Sequence, residues 1–104
     1  MRKPDGIVRH HVSDRRRFTA LHYDLDYCAI CGKPRENLHE VFYGTANRQK
    51  SKDWGMVLPL CAYHHRLVHK DPELRLKTQQ EAQMKFEKAH GHEIFMKVFG
   101  KNYL

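Results

Sequence analysis

The stretch Leu-Pro-Leu-Cys-Ala-Tyr-His-His-Arg-Leu-Val-His, at 58–69, places one cysteine and three histidines at offsets that suit metal ligation. Upstream stands Cys28-x2-Cys31. Together with Cys61-x2-His64 it makes two pairs of soft or borderline ligands, and that spacing suits tetrahedral structural zinc. The residues between the pairs are enough for a hairpin that brings them together. The plain alternative makes Cys61 a small buried apolar residue after a strand, with His64 at the surface. If 62–70 is helical, His65 and His69 stand at i and i+4 on one face, where two imidazoles can chelate one divalent ion. His64 and His65 are neighbours on such a helix, about 100° apart by its period of 3.6 residues, so they can serve different ions. A third ligand for the second ion comes from His39 or Glu40.

These ligands need elements to hold them. Gly32 after the second cysteine lets the chain turn back and close a knuckle. The run 38–44 reads as a short strand with β-branched and aromatic residues at its end. A polar loop is expected over 45–55. Next comes an apolar run of strand length at 56–60, where Pro59 favours an edge. A short helix is expected over 62–70. Asp71-Pro72 is a strong helix start, with an N-cap acceptor and then proline in the first turn. That helix runs to His90, with Gly91 past its end. Leu74, Thr78, Ala82, Phe86 and Ala89 share one face, which is expected to pack inward rather than to form a partner groove. Another short helix follows at 93–99. The expected organisation is a basic arm at 1–17 and a single domain at 18–104, with the metal-binding core at about 28–70 and C-terminal helices at about 72–99.

From Cys28 to His69 the chain resembles the HNH endonuclease superfamily. The resemblance rests on Cys28-x2-Cys31, on His39-Glu40-Val41, and on Leu58-Pro-Leu-Cys61-x2-His64-His65-x3-His69. It implies an α+β fold: a small zinc-stapled ββα-metal core with additional C-terminal helices. The remainder, through Phe99-Gly-Lys-Asn-Tyr-Leu104, looks like small phage and prophage proteins of this type, some related to phage recombination nucleases. In the family the first residue of the strand-end pair ligates metal and the second is the general base. Carried over, His39 is a ligand and Glu40 falls at the base position. The family base is normally histidine, and a carboxylate has an unperturbed pKa well below neutrality. The alternative is a register shift that makes His39 the base. A middle asparagine normally orients the base. Met56 holds its place, and Asn47 is the candidate substitute.

The implied activity is metal-dependent hydrolysis of DNA phosphodiester bonds, in phage or prophage recombination or processing. Its catalytic residues would be His39, Glu40, Asn47 and His65, with His39, His65 and His69 holding a catalytic divalent ion (Mg, Mn, Ni or Zn). Imidazole-rich sites suit the later metals better than Mg. A recombination protein is the implied protein partner.

Composition agrees with a polyanion partner. The chain has 104 residues, net charge +7 and pI about 9.5, which favours nucleic acid. Within 1–17 there are six Lys/Arg against two acids, ending in Arg15-Arg16-Arg17. Arg48, Lys50 and Lys52 form a second basic group for phosphate contacts, which position a strand without reading its sequence. Three cysteines, an odd number, argue against a disulfide framework. The longest dense apolar stretch, 94–99, is too short to span a bilayer, and no signal peptide is visible. The expectation is a soluble cytoplasmic protein of a bacterial or phage-infected cell, with no membrane partner. His10, His11, His22, His90 and His92 have no spacing argument and read as surface or capping groups. Trp54 and Tyr43 read as packing residues. The competing function is a zinc-stapled DNA-binding module without turnover, and one observation separates the two. A nuclease needs a second metal site at His39, His65 and His69; a binding module needs only the knuckle.

Overall fold

The computed structural model describes residues 18–21 and 24–104. The basic arm, with His10, His11, Arg15, Arg16 and Arg17, lies outside the described residues, as does His22. Among the described residues the chain forms a small α+β fold with one two-stranded antiparallel sheet and four helices.

The sheet is a hairpin of β1 (Asn37–Glu40) and β2 (Val57–Leu60), with His39 opposite Leu58 and Leu38 opposite Pro59. Proline is tolerated in β2 because a two-stranded sheet leaves each strand an outer edge. That edge of β2 is not bare. The Ala29 N–H donates to the Pro59 carbonyl (2.8 Å), and the Thr19 hydroxyl to the Val57 carbonyl (2.6 Å). The cysteine knuckle is thereby fastened to β2.

β1 is shorter than the sequence pattern suggests. Past Glu40, the Phe42 backbone leaves the ladder for the buried Ser51 side chain. The Ser51 Oγ accepts from the Phe42 N–H (3.1 Å) and donates to the Phe42 carbonyl (2.6 Å). Val41 and Phe42 are then fully buried.

The expected polar loop at 45–55 is instead mostly helix, α1 (Asn47–Trp54). Its polar residues show no apolar period. What holds it is Ser51 against Phe42, a Gln49–Asp53 side-chain bond one turn apart (2.9 Å), and the left-handed Gly55 at its C-cap.

α2 (Ala62–Lys70) and α3 (Pro72–His90) fall where the sequence puts them. Asp71 caps α3, its carboxylate accepting from the N–H groups of Glu73 (3.0 Å) and Leu74 (3.3 Å). α4 (His92–Phe99) follows directly after Gly91.

Two clusters make the core. The larger one joins Val41, Phe42 and Met56 to Ala82 and Phe86 of α3 and Phe95 and Phe99 of α4. Trp54 packs against it, with its ring 5.1 Å from that of Phe86. The smaller one joins Cys28, Leu60, Cys61 and Val68 under α2.

The inward face of α3 differs from the apolar expectation at three positions. Ala89 is exposed, whereas Gln79 and Gln83 are buried. Gln83 is buried because it pins the returning C-terminal segment. Its Nε2 donates to Asn102 Oδ1 (2.7 Å), and its Oε1 accepts from the Tyr103 N–H (2.8 Å). No helix among the described residues is long and apolar enough to cross a membrane.

Candidate metal centres

α2 contributes to both sets of ligands, to one at its start and to the other along its exposed side. Cys61 is its N-cap, with extended backbone, and the Cys61 Sγ accepts from the His64 N–H (3.4 Å). This geometry turns the His64 ring back toward the two cysteines of the knuckle. Gly32, at φ +81°, allows the knuckle to close. Its N–H donates to the Cys28 carbonyl (2.9 Å), and the Cys28 N–H donates to the Lys33 carbonyl (2.6 Å).

The four donor atoms of Cys28, Cys31, Cys61 and His64 lie within 4.8 Å of one another. The nearest pairs are Cys61 Sγ–His64 Nδ1 (3.4 Å), Cys28 Sγ–His64 Nδ1 (3.7 Å) and Cys31 Sγ–Cys61 Sγ (3.8 Å). A tetrahedron with Zn–S of about 2.3 Å and Zn–N of about 2.0 Å has edges of roughly 3.5–3.8 Å. The cluster therefore fits that ion.

The thiols differ in acidity. Burial pushes the Cys28 thiol up, but the backbone N–H groups of Cys61, Cys31 and Ile30 outweigh it, with help from the Cys31 side chain, and bring it down to about 6. At Cys31 the Lys33 backbone pulls down, while burial and the adjacent sulfurs of Cys28 and Cys61 push up, and the net shift is upward. One thiolate forms readily and disfavours the next, a conflict that a bound cation resolves.

The second set is His39, His65 and His69, with one ring nitrogen from each also within 4.8 Å of the others. Ring centroids are 4.9 Å apart for His65–His69, 5.3 Å for His39–His69 and 5.7 Å for His39–His65. His39 comes from β1 and is only 3% exposed. Its Nε2 is the one fully buried side-chain polar atom among the described residues that has no hydrogen-bond partner. Such an atom costs about 1–3 kcal/mol unless something occupies its lone pair or takes its proton. Three imidazoles, one of them with an orphaned buried nitrogen, fit a divalent ion of the later transition series.

Burial, followed by the positive charge of His69, His65 and Arg48, pushes His39 down to about 4. His65 is lowered by burial and by His69, with Glu40 opposing. The neutral form that binds metal is thus favoured at His39 and His65.

α2 is held at its far end too. Arg75 of α3 donates through Nη1 to the carbonyls of His69 (2.9 Å) and Val68 (3.4 Å), a tie that no spacing pattern announced.

The remaining candidates are placed unevenly. Glu40 follows His39 at the end of β1, close enough to raise the proton affinity of His65, and Arg48 Nη1 stands 4.0 Å from its Oε1. Asn47 is not in either cluster. It begins α1, and its Nδ2 donates to the Phe99 carbonyl (3.4 Å). Met56 is buried in the larger core. Lys50 and Lys52 lie along α1 with Arg48, of which Arg48 alone has a charge contact with the histidine set. Tyr43, expected to pack, is partly exposed, and its ring lies 6.5 Å from that of His69.

Compared with known proteins, the chain matches no family model, no curated protein and no solved structure.

Proposed function

We propose that this protein is a metal-dependent DNA endonuclease of the HNH type, built on a zinc-stapled ββα-metal core and acting in phage or prophage DNA recombination or processing. One observation carries the proposal. Beside a cluster sufficient for structural zinc stands a second, separate cluster of three imidazoles with an unpartnered buried nitrogen. A purely structural knuckle has no use for it.

In this reading Cys28, Cys31, Cys61 and His64 hold zinc and fix the start of α2. His39, His65 and His69 would hold the catalytic ion through their ring nitrogens. When bound, a divalent ion there supplies Lewis-acid polarisation of a phosphate oxygen and stabilises the leaving oxygen. Glu40 takes the proton of the attacking water. Its closeness to His65 supports that role, as does the burial of His39, which suits a ligand better than a base. Arg48, beside Glu40, together with Lys50, Lys52 and the arm residues Arg15, Arg16 and Arg17, draws the phosphate backbone in.

One observation favours the competing reading of a non-catalytic DNA-binding module. The amide best placed in sequence to orient a base, that of Asn47, is committed to the Phe99 carbonyl.

Incubation of supercoiled plasmid with the protein and Mg, Mn, Ni or Zn tests the proposal, beside His65→Ala and Glu40→Ala variants. Nicking is expected for the wild type and should vanish with His65→Ala. Glu40→Ala should cost about 100-fold or more if the carboxylate is the base. A gel shift of intact plasmid under every metal would refute the enzyme and leave the binding module.

A further inference from the structure

Next to the histidine trio, the start of α1, the first half of α3 and the returning C-terminal segment enclose an open cleft of about 570 Å³, with Tyr43, Asn47, Arg75, Gln79, Lys101 and Tyr103 among its lining. That volume is in the range of small-ligand sites. The lining combines two phenol rings, three side-chain amides and two cations, with Leu76 the one aliphatic member.

Gln79 is the telling residue. It is only 8% exposed, yet its amide has no hydrogen-bond partner among the described residues. Its helix neighbours Gln80 and Gln83 are both engaged with the C-terminal segment. Among those residues only His39 Nε2 is both sealed from solvent and unpartnered. The Gln79 amide therefore keeps some contact with solvent, and Gln79 lines the cleft. An amide without a protein partner, on a mostly buried residue of the cleft wall, is a donor and acceptor pair available to a ligand.

The rest of the lining says what kind of ligand. Tyr103 rests on Phe42, ring centroids 5.1 Å apart, and carries the Lys101 ammonium 5.1 Å from its own centroid. Tyr43 reaches from the cleft to the trio through His69, and Arg75 ties the cleft wall to the His69 carbonyl. Aromatic faces stack on bases, side-chain amides pair with base edges, and cations meet phosphate.

We infer that this cleft receives one unpaired nucleotide of the substrate strand, next to the phosphate held at the trio. Gln79 pairs with its base edge, Tyr43 stacks on its face, and Lys101 and Arg75 meet the adjoining phosphate. This rests on the nuclease reading and deepens it. A base still paired in a duplex has no free Watson–Crick edge to offer, so the cleft favours DNA that already presents an unpaired base, in a single strand, a branch or an opened stretch of a supercoiled plasmid, over a blunt linear duplex.

Fluorescence anisotropy tests the assignment, with a short labelled single strand and the blunt duplex of the same sequence. Wild type, Gln79→Ala and Lys101→Ala are compared, each carrying one zinc per chain and no other divalent ion. Wild type should prefer the single strand by about tenfold, and both variants should bring the single-strand-to-duplex ratio close to one. Lys101 is exposed, so its variant keeps the test sound if Gln79→Ala disturbs the fold. Equal affinity of wild type for both forms would overturn the assignment, as would a preference that survives in folded variants. Cleavage of plasmid and of the single strand, with divalent metal added, is scored separately. Cleavage without single-strand preference sinks the cleft assignment alone. A cleft-dependent preference without cleavage of either DNA sinks the nuclease and leaves an unpaired-nucleotide site.

Discussion

Replacing His39 with leucine should make the fold less sensitive to acid when no ion is bound at the trio. The imidazole is 3% exposed and pushed down to about 4, against an ordinary value near 6.5. Between those values the unfolded chain binds a proton that the folded chain refuses, so unfolding gains as pH falls. The stability at stake is intact above about pH 6.5 and lost progressively toward pH 4. The fall from 6.5 to about 4 corresponds to about 3 kcal/mol across the whole window, of which a little over 1 kcal/mol is lost by pH 5.5. The assay is urea unfolding of wild type and His39→Leu at pH 7.5 and 5.5, each with one equivalent of zinc, which the thiolates take first. Acid release of that zinc weakens both proteins alike and cancels in the difference. The gap between the two proteins should move in favour of the leucine variant by about 1 kcal/mol between these pH values. A gap that stays constant, or a His39 ring that titrates near 6.5 by NMR, would refute the buried neutral imidazole and weaken the case for a waiting ligand.

Gly55→Ala and Gly100→Ala separate conformation from space. Both glycines have positive φ, but a Cβ at Gly55 would sit 2.5 Å from Phe18 Cε2 and 2.9 Å from the Ala20 nitrogen, while Gly100 has nothing within 4 Å. Denaturant midpoints should show about 1 kcal/mol lost at Gly100, from the left-handed backbone, and about 3 kcal/mol or more at Gly55; equal losses would contradict the packing of 18–20 on Gly55. Ser51→Ala leaves the buried Phe42 N–H and carbonyl without their partner and should cost about 2 kcal/mol in the same measurement. A loss near zero would mean that α1 is not fastened through that hydroxyl.

Both donor sets could be read from the sequence because their geometry is local. Cys-x2-Cys, Cys-x2-His and His-x3-His are spacings that a knuckle and one helical turn convert directly into neighbouring atoms. Only His39 had to arrive from elsewhere, and the hairpin supplies it. What the sequence concealed depends on partners far along the chain. α1 has no apolar stripe, and its anchor is a single serine facing Phe42. Gln83 looks like a solvent-facing residue of α3 until Asn102 and Tyr103 come back to meet it. The cleft is lined from Tyr43 to Tyr103, and no motif joins residues so distant. The Asn47 amide illustrates the reverse error. A loop asparagine looked available to orient a base, and a helix that composition did not announce turns it toward Phe99 instead.

The two centres are unequal, because α2 belongs to both. Its N-cap is Cys61, and His64 in its first turn completes the cysteine cluster; His65 and His69 then depend on the helix for their shared face. A helix of nine residues is marginal alone. Losing the knuckle ion should fray the start of α2 and scatter the trio, whereas losing His39 leaves the knuckle untouched. Cobalt titration reads both, since sulfur ligation gives a charge-transfer band that imidazole ligation lacks. Wild type should take up two ions, with the sulfur band saturating first. His39→Ala should lose the second ion and keep the band. Cys31→Ser, at an exposed ligand where packing changes least, leaves two thiolates, so its band should shrink and saturate only at much higher cobalt, and the trio should weaken by about tenfold or more. If Cys31→Ser binds the second ion as tightly as wild type does, α2 holds its shape without zinc, and the knuckle is not what positions the histidines.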